Sequence, residues 1–306
     1  MSMTRRDFSK IGLGVATTLA LAGGGAVAGP GHMMKKPIPS SGEMIPVIGL
    51  GTNRYGVGTS AEARQPLRAA VTRFAELGGT VIDTAPMYRT SETVLGDLIA
   101  DLGIRDELFI ATKTDREGGT SETDAQMQSS LGKLRTKTFD LMQVHNLRGW
   151  REALAVMRDW KDEGRIRYIG ITTSRANQYE EFEQVMRAED LDFVQLNYSV
   201  EQRESAERLM PLAADRGMAV MINRAFGGGR IFKAVGDQPL PDWARECDCS
   251  SWAQLLLKYA LSHPAATVAI PGMTKVRHVD DNMLAGHGRL PDAAEREKIE
   301  AFYDAL

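Results

Sequence analysis

Short apolar runs recur along the chain, and each is followed by a stretch whose apolar residues return every three or four positions. The runs cover residues 47–50, 80–83, 108–113, 139–145, 167–172, 193–197, 219–223 and 267–270. Their length and β-branched content fit strands. In the stretch 61–77, Leu67, Val71 and Phe74 stand at i, i+4 and i+7. In 250–262, Trp252, Leu255, Leu256, Tyr259 and Ala260 stand at i, i+3, i+4, i+7 and i+8. Such spacings lay one apolar stripe along one helix face. Eight strands alternating with helices imply a parallel sheet. Eight such units in about 250 residues fit a closed (β/α)8 barrel, a single domain. The alternative is an open doubly wound sheet. Its G-x-G-x-x-G turn is missing, since Gly49-Leu50-Gly51 runs on into Thr52-Asn53-Arg54. Ser40-Ser41-Gly42 is a turn signal and predicts a short hairpin ahead of the first core strand.

The apolar pattern breaks at the strand ends. In a barrel, chemistry collects at the C-terminal ends of the strands. Here the second strand ends in Asp83, the third in Lys113 and the fourth in His145. The fifth runs into Thr172 and Thr173, the sixth carries Gln195 and Asn197, and the seventh ends in Asn223. Side chains alternate across a strand. Gln143 and His145 therefore share a face, as do Phe193, Gln195 and Asn197. With the apolar alternates turned to the helices, the polar set points to the barrel axis and to one mouth. A lone Asp or Asn after a strand is ordinarily a cap or turn residue. A carboxylate, an ammonium and an imidazole closing three successive strands point instead to a site. Tyr88, five residues past Asp83 in DTAPMYRTSE, adds a phenol. A free tyrosine titrates near about 10, and a neighbouring Lys113 is expected to lower that value. Asp83 is expected to hold Lys113 charged, and His145 to orient a substrate oxygen. Such a group suits proton donation to a developing alkoxide, as in carbonyl reduction.

Composition narrows the picture mainly by exclusion. Hydrophobic content of 43% and charged content of 25% suit an ordinary soluble globular protein. A net charge of −3 offers no basic balance for nucleic acid. Of five histidines only His145 ends a strand, and no HExxH occurs, so metal chemistry fits poorly. A barrel hydrolase lacks a signature too, because no G-x-S-x-G occurs. Cys247 and Cys249 are the only cysteines and are expected to be thiols beneath a surface loop, with no assigned role.

The segments DTAPMY, IATK and QVHN resemble the Asp, Tyr, Lys and His tetrad segments of the aldo-keto reductase family, in that family's order. GRIRYIGITTS, FVQLNYS, FGGGR and IPGMTKVRHVDDN resemble its later cofactor-site segments. The resemblance covers about residues 45–282 and implies a (β/α)8 barrel that binds a nicotinamide cofactor, NADPH rather than NAD. It makes Tyr88 the general acid, Lys113 its tuning cation, Asp83 the partner of Lys113, and His145 the group that positions the carbonyl. It implies cofactor contacts from Gly51, Thr52, Thr172, Thr173, Gln195, Asn223, Lys275, Arg277 and Asn282. The chain also departs from the family. Thr172-Thr173 stands where Ser-Asn is frequent, Asn223 where an aromatic often stacks on the nicotinamide, His278 where Arg is frequent, and Arg89 where Gly follows the tyrosine. Tyr55, Met87, Asn146 and Phe226 are expected at the pocket rim, which suggests a small, partly apolar carbonyl substrate. A non-catalytic, cofactor-binding regulatory subunit is the alternative. Failure of steady-state turnover on a broad carbonyl panel would favour it.

The N-terminus reads as an export address. TRRDFSK precedes an uncharged stretch at 11–28 that ends in Ala26-Val27-Ala28, a small-residue cleavage site. Residues 1–28 are thus expected to be a twin-arginine signal, 29–44 a linker and hairpin, and 45–306 the barrel. The only membrane contact expected is through the signal, and the twin-arginine machinery is the expected partner. The expected location is the periplasm. A protein that must collect a dinucleotide before export has reason to cross already folded, because bound ligand stabilises the folded form.

Overall fold

A computed structural model describes residues 32–306, so the expected signal at 1–28 lies outside the described residues. Two short strands, β1 (Lys35–Pro37) and β2 (Met44–Pro46), pair antiparallel. Their turn tightens at Gly42, whose φ of 77° favours glycine, and whose amide donates to the Ile38 carbonyl at 2.8 Å. The expected hairpin is therefore present, and it reaches two residues past the boundary placed at 44.

Eight further strands follow in sequence order: β3 (Leu50–Gly51), β4 (Val81–Asp83), β5 (Phe109–Thr114), β6 (Phe139–His145), β7 (Ile166–Thr172), β8 (Phe193–Asn197), β9 (Ala219–Asn223) and β10 (Ala266–Ala269). All neighbours are parallel and the spatial order is the sequence order. Parallel bridges from Ile48 to Ala269 and from Gly51 to Gly272 join the two ends, so the ring closes. The first core strand is predicted over 47–50 but is regular only at Leu50–Gly51. Of its earlier residues, Ile48 makes an isolated parallel bridge to Ala269, and the Gly49 amide donates to the Ala269 carbonyl at 2.8 Å.

Ten α-helices accompany the ring among the described residues: α1 (Ala61–Glu76), α2 (Ser91–Leu102), α3 (Thr120–Leu134), α4 (Trp150–Asp162), α5 (Tyr179–Ala188), α6 (Leu209–Asp215), α7 (Arg230–Val235), α8 (Trp252–Leu261), α9 (Val276–Leu284) and α10 (Ala293–Asp304). The α1 stripe of Leu67, Val71 and Phe74 is buried, as its spacing requires. Ser60 caps α1 by accepting from the Ala63 amide, and Ser251 caps α8 by accepting from the Gln254 amide.

The barrel interior is layered. At its lower end Val81, Phe109, Leu141, Tyr168, Phe193 and Val268 pack with Ile38 and Ile45 of the hairpin. The hairpin thus plugs the bottom, and the Tyr168 hydroxyl bonds to Ser41 and Glu43, each at 2.7 Å. Two residues further along the same strand faces stand Asp83, Gln143 and Gln195, with Lys113 and His145 one step higher. Alternation therefore carries each strand from an apolar floor to a polar mouth.

Candidate active site

The centre of the site is a buried ion pair. Asp83 closes β4 and is 2% exposed; Lys113, near the end of β5, is 1% exposed. The Lys113 ammonium donates to both carboxylate oxygens of Asp83 at 2.7 Å and to the Thr84 carbonyl at 2.8 Å. Two amides complete the shell of Asp83: Gln195 Nε2 donates at 2.9 Å and Gln143 Nε2 at 3.3 Å. Burial works against the ammonium, but Asp83 and Tyr88 outweigh it and hold its pKa above the usual value.

Tyr88 lies in the turn between β4 and α2, its ring centroid 5.2 Å from the Lys113 nitrogen. His145 stands edge-on to it, with centroids 5.9 Å apart. Four side chains from the ends of β4, β5 and β6 and one adjoining turn are therefore gathered at one mouth. Lys113 does act to lower the phenol's pKa, as expected, but it does not set the net direction. Burial raises it, Lys113 pulls it down, Asp83 pushes it up again, and the net direction is upward. The physical reason is that Asp83 neutralises much of the Lys113 charge, leaving desolvation dominant. Burial also pushes His145 down to about 3, with Lys113, Arg148 and Arg175 in the same direction and Asp115 against. The imidazole is thus neutral across the physiological range. Its Nδ1 is buried without a partner, while the ring lines the cavity.

That cavity, about 1010 Å³, opens at the C-terminal end of the ring. Tyr88, His145, Gly51, Thr52, Thr172, Gln195, Asn223 and Asn282 line it. Lys113 stands behind Tyr88, and neither Thr173, Lys275 nor Arg277 reaches the lining. Thr173 turns its hydroxyl to Gln178 at 2.7 Å and gives its carbonyl to Asn223 Nδ2 at 3.2 Å. Thr52 donates to the Asp83 carbonyl at 2.8 Å, and Gln195 accepts from Thr172 at 3.0 Å. These residues thus also brace the ends of β4, β7 and β8. Of the expected rim, Met87, Asn146 and Phe226 line the cavity. Tyr55 does not: it is fully buried, and its hydroxyl donates to the Met273 carbonyl at 2.8 Å.

Several lining residues went unread in the sequence, among them Arg54, Arg224, Phe232, Trp252 and Asp281. Arg54 and Arg224 sit on loops, where no periodicity marks direction, whereas Phe232, Trp252 and Asp281 lie in α7, α8 and α9. Cys247 and Cys249 are buried free thiols away from this cavity. Among the described residues no three His, Cys, Asp or Glu side chains gather to hold a metal ion, and no helix is long and apolar enough to cross a membrane.

Comparison with known proteins gives a consistent result. Methylglyoxal reductase YeaE of Escherichia coli (strain K12) is 28% identical over 281 residues, covering 89% of this chain and 96% of that protein. The NADH-specific methylglyoxal reductase of the same organism is 24% identical over 331 residues, covering 88% and 99%. The crystal structure of a Klebsiella pneumoniae aldo-keto reductase in complex with NADPH superposes with a TM-score of 0.74 at 26% identity, covering 89% of this chain and 96% of that one. The model of the aldo/keto reductase family matches residues 47–304, from the first core strand through the last helix. A match of that extent settles the assignment: the chain is a member of the aldo/keto reductase family.

Proposed function

We propose that the protein is an NADP(H)-dependent oxidoreductase that interconverts a small carbonyl compound and its alcohol, with Tyr88 as general acid. The observation that carries this reading is the meeting of a protonated phenol, a neutral imidazole and a buried Lys113–Asp83 pair at an open cavity. Bound in that cavity, a nicotinamide cofactor supplies the hydride.

The residues present fit such a cofactor. Asn223 lines the cavity with a buried Oδ1 that has no partner, an acceptor suited to a carboxamide N–H. Thr172 and Gln195 stand beside it. His278, Asp281 and Asn282 line the cavity beyond β10, where an adenine and its ribose can be held. His278 and the nearby Lys275 and Arg277 favour a 2′-phosphate, hence NADPH over NADH. Like His278, Lys275 and Arg277 stand at or in the start of α9 and can add to the field without lining the cavity.

The chemistry follows from the side chains. His145, neutral, has one N–H to donate to the carbonyl oxygen and so to orient it. Tyr88 keeps its proton until oxygen gains charge, then donates it. Lys113 stabilises the phenolate left behind, and Asp83 with its two amide donors keeps the ammonium in place. Met87, Phe226, Phe232 and Trp252 give the wall an apolar character suited to a small, partly apolar substrate. The export motif TRRDFSK supports a periplasmic site of action, reached folded through the twin-arginine machinery.

Steady-state turnover of the purified protein on a panel of small aldehydes and ketones, with NADPH and with NADH, tests the reading. Oxidation of NADPH that depends on the carbonyl is expected. Binding of NADPH without turnover on any member of the panel would refute it and favour a regulatory subunit.

A further inference from the structure

One side chain at the cavity mouth carries a chemistry that carbonyl reduction does not use: the thioether of Met87. The chain holds 15 methionines. Among the described residues, Met44 and Met87 are the exposed ones, at 50% and 46%. Met33 is half-buried, its sulfur so near Gly286 that a Cβ there would come within 2.3 Å of it. The remaining described methionines are buried, the usual place for a flexible apolar side chain that fills gaps in a core. Met221 shows the contrast, because it too stands near the site. Its sulfur accepts from Gln195 Nε2 at 2.9 Å, yet the residue is fully buried behind that amide.

The local chain explains why Met87 differs. The Tyr88 amide donates to the Ala85 carbonyl at 3.0 Å and closes a β-turn with Pro86 and Met87 at its corners. Pro86 presets the first corner. Beyond it, the Ser91 amide donates to the Tyr88 carbonyl at 3.1 Å, and the Thr90 hydroxyl donates to the Val57 carbonyl at 2.7 Å. The turn is thus tied on both sides. It sets the Tyr88 ring beside Lys113 and leaves Met87 exposed in the cavity wall. Met44, by contrast, lies in β2 of the hairpin that plugs the opposite end of the ring. Among the described methionines Met87 alone is both exposed and part of this wall.

The two thiols compete poorly for an oxidant. Cys247 and Cys249 are buried, and burial raises both above the usual thiol value, Cys249 to about 12. Thiolate, the reactive form, is therefore scarce. A thioether needs no such ionisation. Its sulfur lone pair attacks one oxygen of a hydroperoxide, the O–O bond breaks and an S–O bond forms. The other oxygen takes up a proton and leaves, as water when the oxidant is hydrogen peroxide. Sulfur gives up two electrons and the peroxide accepts them. The sulfoxide is polar where the thioether was apolar. It would stand in the same wall as Phe226, Phe232 and Trp252. A dithiol, acting through a methionine sulfoxide reductase, removes the oxygen again as water and becomes a disulfide.

We propose that Met87 is a modification site whose reversible oxidation by a hydroperoxide weakens carbonyl binding and leaves dinucleotide binding unchanged. The proposal rests on the carbonyl-reductase reading above and adds a redox control to its substrate side. Asp83 and Lys113 are buried and carry no oxidisable sulfur, so the effect falls on KM and not on kcat.

The test treats the full chain with hydrogen peroxide and reads it three ways. Peptide mass spectrometry locates sulfoxide at each methionine. Steady-state kinetics use a carbonyl that the untreated protein reduces. Tryptophan fluorescence gives the Kd for NADPH, since Trp252 lines the cavity. Met87→Leu, Met87→Gln and Met44→Leu are treated alongside, each compared with its own untreated sample. Among the described residues, sulfoxide should form first at Met44 and Met87. In wild type and Met44→Leu, KM for the carbonyl should rise about fivefold, with kcat and the Kd within about twofold of their starting values. Met87→Leu has no thioether at the mouth, and its KM should not respond. Met87→Gln, polar and of similar length, should show the raised KM before treatment. Methionine sulfoxide reductase with a dithiol should return wild type to its starting KM. Sulfoxide at the buried methionines before Met87, an unchanged KM once Met87 is oxidised, or a rise in KM that persists in Met87→Leu would overturn the proposal while carbonyl reduction stands. A rise in the Kd for NADPH that matches the rise in KM would overturn it by giving Met87 to the cofactor. If the untreated protein reduces no carbonyl, the functional reading fails and the proposal fails with it.

Discussion

Replacing Lys113 with methionine removes one half of an ion pair that has almost no access to water. Three donor contacts vanish, two to Asp83 at 2.7 Å and one to the Thr84 carbonyl at 2.8 Å. Asp83 keeps its charge with only the amides of Gln195 at 2.9 Å and Gln143 at 3.3 Å. Breaking a buried pair in this way costs about 3–5 kcal/mol. At about 2–4 °C per kcal/mol for a domain near this size, Tm falls by roughly 10 °C. The double variant Asp83→Asn/Lys113→Met carries no buried charge, and its stability should recover by at least half of that loss, while turnover stays low. Calorimetry and urea unfolding of the single and double variants measure both effects. A Tm for Lys113→Met within about 2 °C of wild type, or a double variant less stable than the single one, would refute the reasoning.

Other outcomes follow from the same geometry. His145 is held at about 3, below its unfolded value of about 6.5, so its neutral form stabilises the fold above that value and the contribution is lost as pH falls toward 3. His145→Gln should flatten the acid limb of the stability profile by up to about 4 kcal/mol, read by urea unfolding. Because Tyr88 is raised and His145 lowered, kcat for carbonyl reduction should show no inflection from either group between about pH 5 and 8, and a bell-shaped profile there would contradict both assignments. Gly51→Ala would bring a Cβ to 2.6 Å of the Ile270 carbonyl, where β3 closes on β10. A loss of about 1–3 kcal/mol in urea unfolding is expected.

The barrel was legible because its strands carry apolar residues and its helices a repeating stripe. β5 to β9 begin and end within a residue or two of their expected limits. β3 was harder to place, because toward β10 its residues bond only through single bridges. The ends of β4, β5 and β6 announced Asp83, Lys113 and His145, since a charged or polar residue at the end of a buried strand has few bland explanations. Tyr88 was legible through its distance from Asp83. What the sequence hid is the balance of fields. The raised pKa of Tyr88 depends first on its burial and then on how far Asp83 offsets Lys113, both matters of the folded geometry. Loop residues were hidden for a different reason. Arg54 and Arg224 lie where neither the 3.6 nor the 2.0 period indicates direction, and Tyr55, one residue from Arg54, turned inward instead of to the rim. Lys275 and Arg277 look like cofactor cations in the sequence, yet their side chains stay off the cavity wall.

The central claim is that a phenol donates the proton in carbonyl reduction. Rapid-mixing kinetics of Tyr88→Phe, with NADPH and a carbonyl that wild type reduces, measure that step directly, beside the Kd for NADPH from fluorescence. The account predicts unchanged cofactor affinity and a turnover rate about 10²–10⁴-fold lower. A Tyr88→Phe protein that reduces the carbonyl within twofold of the wild-type rate would contradict it.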